Sequence, residues 1–240
     1  MFEISYIELM KGGGVMRKFI WVLLVACSTL TADDVCSDSN SAIFSRIYDT
    51  GEWDRDSDVK GTSGSGSSPT NARMYIEYLR NFLKDQNIKS VVDLGCGDWQ
   101  ISSCINWNGI QYTGVDVVES VINRNKKKYS SPKISFIKAD GIDYSLPRAD
   151  LLICKDVLQH LPFMDILSVI TQMSKFKYCI IVNDVDPVTL TCENIDIPRG
   201  HYRTLDVTKP PFGLTGRKVL TYASANETKQ VLLIQNKYPN

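Results

Sequence analysis

Ser90-Val91-Val92-Asp93-Leu94-Gly95-Cys96-Gly97-Asp98-Trp99 combines an apolar strand, an acid and two closely spaced glycines, and the rest of the chain is read outward from it. Val91, Val92 and Leu94 suit a central parallel strand buried on both faces, while Gly95 and Gly97 admit backbone turns and close approaches that a Cβ would block. The order strand, tight turn, helix start is a phosphate- or nucleotide-type cradle.

Downstream, apolar stretches alternate with helical patterns. Gln111–Asp116 reads as a second strand ending in an acid, and Asp116 stands 19 residues past Gly97, from 97 to 116. At that distance a second-strand carboxylate reaches the ribose of a nucleotide bound over the first turn. Ile134–Gly141 reads as a third strand ending at Asp140, Ala149–Cys154 as a fourth followed by Asp156, and Tyr178–Asp184 as a fifth. Helical spacing marks Met74 to Leu83, Val118 to Ile122 with a basic end at Lys126–Lys128, and Ile166 to Met173. Such alternation implies a Rossmann-like doubly wound α/β sheet with right-handed crossovers, mostly parallel. Five acids then gather at the carboxyl ends of the strands, where open α/β sheets bind ligands. Arg217–Ser224 and Lys229–Gln235, separated by Ala225–Thr228, form a C-terminal hairpin that makes the last strand antiparallel to its neighbour.

The 240 residues carry 27 Lys plus Arg and 27 Asp plus Glu, so the zero net charge supplies no basic field for nucleic acid. Seven cysteines without metal-ligand spacing read as buried thiols, and no metal site is expected. Met16-Arg17-Lys18 followed by Phe19–Ala26 has the basic and apolar regions of a secretory signal. Leu24-Val25-Ala26-Cys27 resembles a lipoprotein box, so membrane association is expected only through the N-terminal signal or a lipid anchor, and Leu30-Thr31-Ala32 is a competing cleavage site. Lys11-Gly-Gly-Gly-Val15 reads as a translated ribosome-binding tract before a start at Met16. The expected organisation is 1–32 as start-site artefact plus signal-like segment, 33–69 as an extension with a Gly/Ser-rich loop, and 70–240 as the catalytic domain. The loop Asp49–Thr70, with Thr62–Ser68 at its centre, is either a linker or a lid over a ligand. The signal suggests export or anchoring.

The ordered motifs from Thr70 to Lys237 resemble the class I S-adenosylmethionine-dependent methyltransferase family. Asp93-Leu94-Gly95-Cys96-Gly97 is similar to its D-x-G-x-G signature, Gly114-Val115-Asp116 to its ribose-binding segment and Ala139-Asp140-Gly141 to its adenine-contacting segment. Asp156–Pro162 resembles the stretch after the fourth strand in small-molecule members, and the hairpin is the family's departure from a plain Rossmann fold. The resemblance implies S-adenosylmethionine as cofactor, bound by Asp93, Gly95, Gly97, Asp116 and Asp140. It implies methyl transfer by in-line displacement to a small-molecule or sugar hydroxyl or amine. Trp99 stands where many members have a third glycine; packing is its expected role, with a cation-π contact to the sulfonium as the alternative.

A hydroxyl or amine acceptor requires proton removal. His160 is the candidate base, oriented by Asp156 or Asp184, and His201, Tyr202 and Arg203 are candidate acceptor contacts in a loop with no helical period. A signal-like segment sits poorly with a cytosolic donor, so a non-catalytic secreted or lipid-anchored binding protein on this scaffold is the second reading. A nicotinamide-dependent oxidoreductase would need a third glycine where Gln100 stands, and the donor's supply argues for the cytoplasm.

Overall fold

In the computed structural model, residues 39–54 and 63–237 are described. The signal-like and lipoprotein-box readings, the start-site tract and residues 55–62 of the Gly/Ser-rich stretch lie outside the described residues. Strand β1 (Ser90–Leu94) occupies the centre of a seven-stranded sheet with β2 (Gln111–Asp116), β3 (Ile134–Lys138), β4 (Ala149–Lys155), β5 (Phe176–Asp184), β6 (Arg217–Ser224) and β7 (Glu227–Gln235). The order is β3-β2-β1-β4-β5-β7-β6. The first five strands run parallel, with Val91 beside Tyr112 on one flank and Leu151 on the other. β7 inserts antiparallel between β5 and β6, as the hairpin reading requires. The turn is tighter than the four residues anticipated, because pairing resumes at Glu227.

Strand periodicity divides the core. Val92 and Leu94 point into one apolar layer with Val115, Leu152 and Ile181, while Val91 points into the other with Tyr112, Leu151 and Ile153. Among the described residues, four helices cover the two faces: α1 (Asn40–Thr50), α2 (Arg73–Asp85), α3 (Glu119–Tyr129) and α4 (Phe163–Gln172). α2 packs Tyr75, Leu79 and Phe82 onto the Val91 side, and α1 packs Phe44 and Ile47 onto the Leu94 side. α1 has no counterpart in the sequence reading. Its Ser39 cap, whose hydroxyl accepts from the Ala42 N–H at 3.2 Å, and its left-handed Gly51 stop are ordinary helix boundaries.

Trp99 is 5% exposed and belongs to the Val91 layer. Its ring lies 4.5 Å from that of Tyr129, 5.5 Å from Phe136 and 5.6 Å from Tyr112, so the indole is spent on packing. Cys154 and Cys179 are buried and, with Cys96, Cys104 and Cys192, carry free thiols. Among the described residues no helix is long and apolar enough to cross a membrane.

Removing the indole leaves a void among three rings. Trp99→Ala is expected to cost about 3–5 kcal/mol of unfolding free energy by urea denaturation.

Candidate functional site

The sheet reverses its winding between β1 and β4, which opens a crevice at their carboxyl ends. A cavity of about 290 Å³ sits there. Its floor is the turn Gly95–Gly97 together with Asp116, Asp140 and the segment after β4, and its roof is α1, Trp53 and Ser63–Ser67.

Two glycines shape the floor. A Cβ on Gly95 would lie 2.2 Å from Val157 Cγ2, and one on Gly97 would lie 2.3 Å from Ser63 Oγ; both glycines have positive φ. The turn is then locked by β2: Asp116 Oδ2 accepts the Gly97 N–H at 2.9 Å and Oδ1 accepts the Val118 N–H at 2.9 Å. Burial raises the Asp116 carboxyl and these backbone donors oppose the rise. Each oxygen keeps a further lone pair for a ligand hydroxyl. Asp140 is anchored similarly, accepting from Asn40 Nδ2 at 3.0 Å and from the Ile142 N–H at 3.1 Å. Asn40 thereby brings the start of α1 to the third strand's acid.

The roof is tied to the floor through Ser63. Its hydroxyl shares a 2.6 Å hydrogen bond with the Tyr48 hydroxyl, donates to Asp98 Oδ1 at 3.1 Å and accepts the Asp98 N–H at 3.0 Å. Ser63–Ser67 therefore lies over the glycine turn. Trp53 extends the roof, with its ring 5.3 Å from Tyr48 and 5.3 Å from His160.

At the other end of the cavity four charges meet. Lys229, on β7, lies 2.7 Å from Asp156 Oδ1 and 2.7 Å from Glu227 Oε2, and Lys155 pairs with Asp156 Oδ2. Burial pushes the Asp156 carboxyl up, but Lys155 and Lys229 outweigh it and hold it at about 2. Burial also raises the Glu227 carboxyl, against the pull of Lys229. Asp156 itself has φ of +57°, a strained backbone for a non-glycine residue at the end of β4.

Several expected site residues are placed differently. Asp93 does not line the cavity. Strand alternation turns it to the Val91 side, where Tyr112 Oη donates to it at 2.6 Å and Ser102 Oγ at 2.9 Å. Burial pushes its carboxyl up to about 6 despite those donors. His160 does line the cavity, yet neither proposed carboxylate orients it: Nδ1 donates to the His201 carbonyl oxygen at 3.0 Å. Asp156 is engaged by lysines. Asp184 accepts from the Tyr202 hydroxyl, and from the Thr228 N–H at 3.0 Å and the Asp186 N–H at 2.9 Å. Burial lowers the His160 imidazole to about 4, the His201 carbonyl opposing it, so near neutral pH it is an uncharged and weak base.

Of the three loop candidates, Tyr202 alone reaches the cavity. His201 is exposed and contributes its carbonyl. Arg203 points the opposite way, donating from Nη1 to the Leu161 carbonyl at 2.9 Å and lying 5.5 Å over the Phe163 ring. Phe44, Tyr48, Trp53, Glu227 and Lys229 were missed by the sequence reading. A charged Glu-x-Lys inside an apolar hairpin is the one signal that could have exposed the last two.

His160 titrates at about 4 when folded, against 6.5 for a free imidazole. Between those values the unfolded chain takes up a proton that the folded state refuses, so this group's contribution to stability falls as pH falls. Urea denaturation at pH 7 and pH 5 should show wild type losing about 1–2 kcal/mol relative to His160→Gln over that interval.

A family described as "Methyltransferase domain" matches residues 91–176. Carboxy-S-adenosyl-L-methionine synthase of Nautilia profundicola is 29% identical over 93 residues, 37% of this chain and 39% of that protein. The chain thus spans about two fifths of the length of the curated relative it matches. Magnesium protoporphyrin IX methyltransferase (ChlM) from Synechocystis PCC 6803, solved with bound SAM, shares the fold at a TM-score of 0.60 and 15% identity, covering 83% of this chain and 98% of its own. N-methyltransferase NodS from Bradyrhizobium japonicum WM9, in complex with S-adenosyl-l-homocysteine, gives 0.59 and 16%, covering 83% and 100%. Residues 91–176 thus match a methyltransferase domain, and the order of the sheet with its antiparallel seventh strand gives the chain the fold of these solved methyltransferases.

Proposed function

We propose that the protein transfers a methyl group from S-adenosylmethionine to a small-molecule or sugar acceptor. The observation that carries this reading is the junction of Asp116 with Gly97: a buried carboxylate fixed by two backbone N–H groups beside a turn that only glycine can make. That geometry suits a ribose at β2, with Asp140 at β3 available to the adenine amino group and Gly95 and Gly97 admitting close backbone approach. Bound there, the cofactor would supply an already activated methyl group on a sulfonium.

The chain's own task is then positioning and exclusion of water. α1, Trp53 and Ser63–Ser67 supply a cover, anchored by the Tyr48–Ser63–Asp98 hydrogen bonds. Tyr202, held by Asp184, and His160, held by the His201 carbonyl, form the wall left for an acceptor. Burial and the Asp184 hydrogen bond raise the Tyr202 phenol, which stays neutral. His160 is assigned the part of an uncharged hydrogen-bonding partner at this wall, and Asp156 that of a charge anchor between two lysines.

Isothermal titration with S-adenosylhomocysteine should give saturable binding. Asp116→Asn places an amide N–H against one of the two backbone donors and should weaken binding about ten- to hundredfold. A screen of small molecules and glycans with methyl-labelled donor reads transfer; absence of S-adenosylhomocysteine binding at millimolar concentration would favour the non-catalytic alternative.

A further inference from the structure

We infer that the acceptor is an amine, received as an ammonium by Glu227 and by aromatic rings that line the same cavity, with Glu227 then taking one N–H proton so that the nitrogen regains the lone pair that methyl transfer requires. This rests on the methyltransferase reading above and adds the acceptor's chemistry.

The first support is how the four charges are exposed. In the cluster of Lys155, Asp156, Glu227 and Lys229 the formal charge cancels, but accessibility does not. The Lys229 side chain is 1% exposed and that of Lys155 is 8%, whereas Asp156 is 15% and Glu227 26% exposed. All four line the cavity, and the carboxylates are the more accessible members of the cluster. Glu227 has one oxygen on Lys229 at 2.7 Å and is the most accessible of the four. The other acids near the cavity are more heavily committed. Asp116 and Asp140 each accept on both oxygens, and Asp184 takes three donors.

The second support is independent of charge count. The ring of His160 lies 5.3 Å from that of Trp53 and 5.8 Å from that of Tyr202, and all three residues line the cavity that Glu227 also lines. Aromatic faces attract a desolvated cation. His160 fits such a wall because its buried imidazole stays uncharged at neutral pH and does not repel one. A neutral alcohol gains only a hydrogen bond to the carboxylate from this combination, and a carboxylate is opposed by it.

Gly66 closes the arrangement. A Cβ there would lie 3.2 Å from Glu227 Oε2 and 3.6 Å from Asp156 Oδ2, and its carbonyl accepts from Lys155 Nζ at 3.2 Å. The roof thus touches the charged cluster itself.

The test uses the full chain saturated with S-adenosylhomocysteine and three matched probes: benzylamine, benzyl alcohol and benzoate. Calorimetry should show benzylamine binding at least about tenfold tighter than either of the others. Glu227→Gln should remove about tenfold of that affinity, and Trp53→Leu about threefold. Should Glu227→Gln fail to fold, the wild-type probe comparison and Trp53→Leu decide the matter. No detectable benzylamine binding, or equal affinity for amine and alcohol, overturns the inference while S-adenosylhomocysteine binding still stands for the methyltransferase reading. Loss of S-adenosylhomocysteine binding by the wild type would overturn that reading and the inference with it.

Discussion

The two hydrogen bonds accepted by Asp116 are the constraint on which the rest of the site depends. Gly97 can lie in the left-handed region because it lacks a Cβ, but a permissive residue is not thereby placed; the carboxylate on β2 places it. Once the turn is fixed, Asp98 faces Ser63, Ser63 meets Tyr48, and the roof closes on the floor. Asn125 adds to the same anchor, its side chain donating to the Gly97 carbonyl at 2.7 Å. The turn is thus held at both peptide units that flank the Gly97 Cα, by residues of β2 and α3.

The charged cluster shows a different economy. Lys229 is buried to 1%, where a lone ammonium would be expensive, and it keeps its charge because Asp156 and Glu227 more than offset the burial. The arrangement costs the fold strain at Asp156, and what it gains is a set of fixed charges at the edge of a cavity. The insertion after β5 is held in turn by its backbone. The Gly200 N–H donates to the His160 carbonyl, the Arg203 N–H to the Gln159 carbonyl and the Leu205 N–H to the Asp184 carbonyl.

Much of the architecture was legible because buried parallel strands leave a strong mark: continuous apolar runs ending in Asp at 116, 140 and 184. The hairpin was legible from two apolar runs around a short polar gap. The site was legible only where one strand end made it. Gly95, Gly97, Asp116 and Asp140 reach the cavity directly, whereas Asp93 was misjudged because the motif ignores which face an odd residue takes. His160 and Arg203 went wrong for a related reason. Their partners are backbone carbonyls at His201 and Leu161, and a backbone acceptor has no letter in the sequence. α1 escaped notice because its apolar positions Phe44, Ile47 and Tyr48 follow a stretch read as an extension, and their value lies in what they cover.

The cavity draws its wall from residues as far apart as Asn40 and Lys229. On a ribosome the chain emerges from its amino end, and the glycine turn, β2 and β4 are all made well before the hairpin. Until β7 docks between β5 and β6, Asp156 lacks one of its two lysines and Glu227 is missing from the cavity. The charged cluster is therefore completed last in synthesis, when nearly the whole domain has already been built, and a chain lacking the hairpin would carry the glycine turn without it.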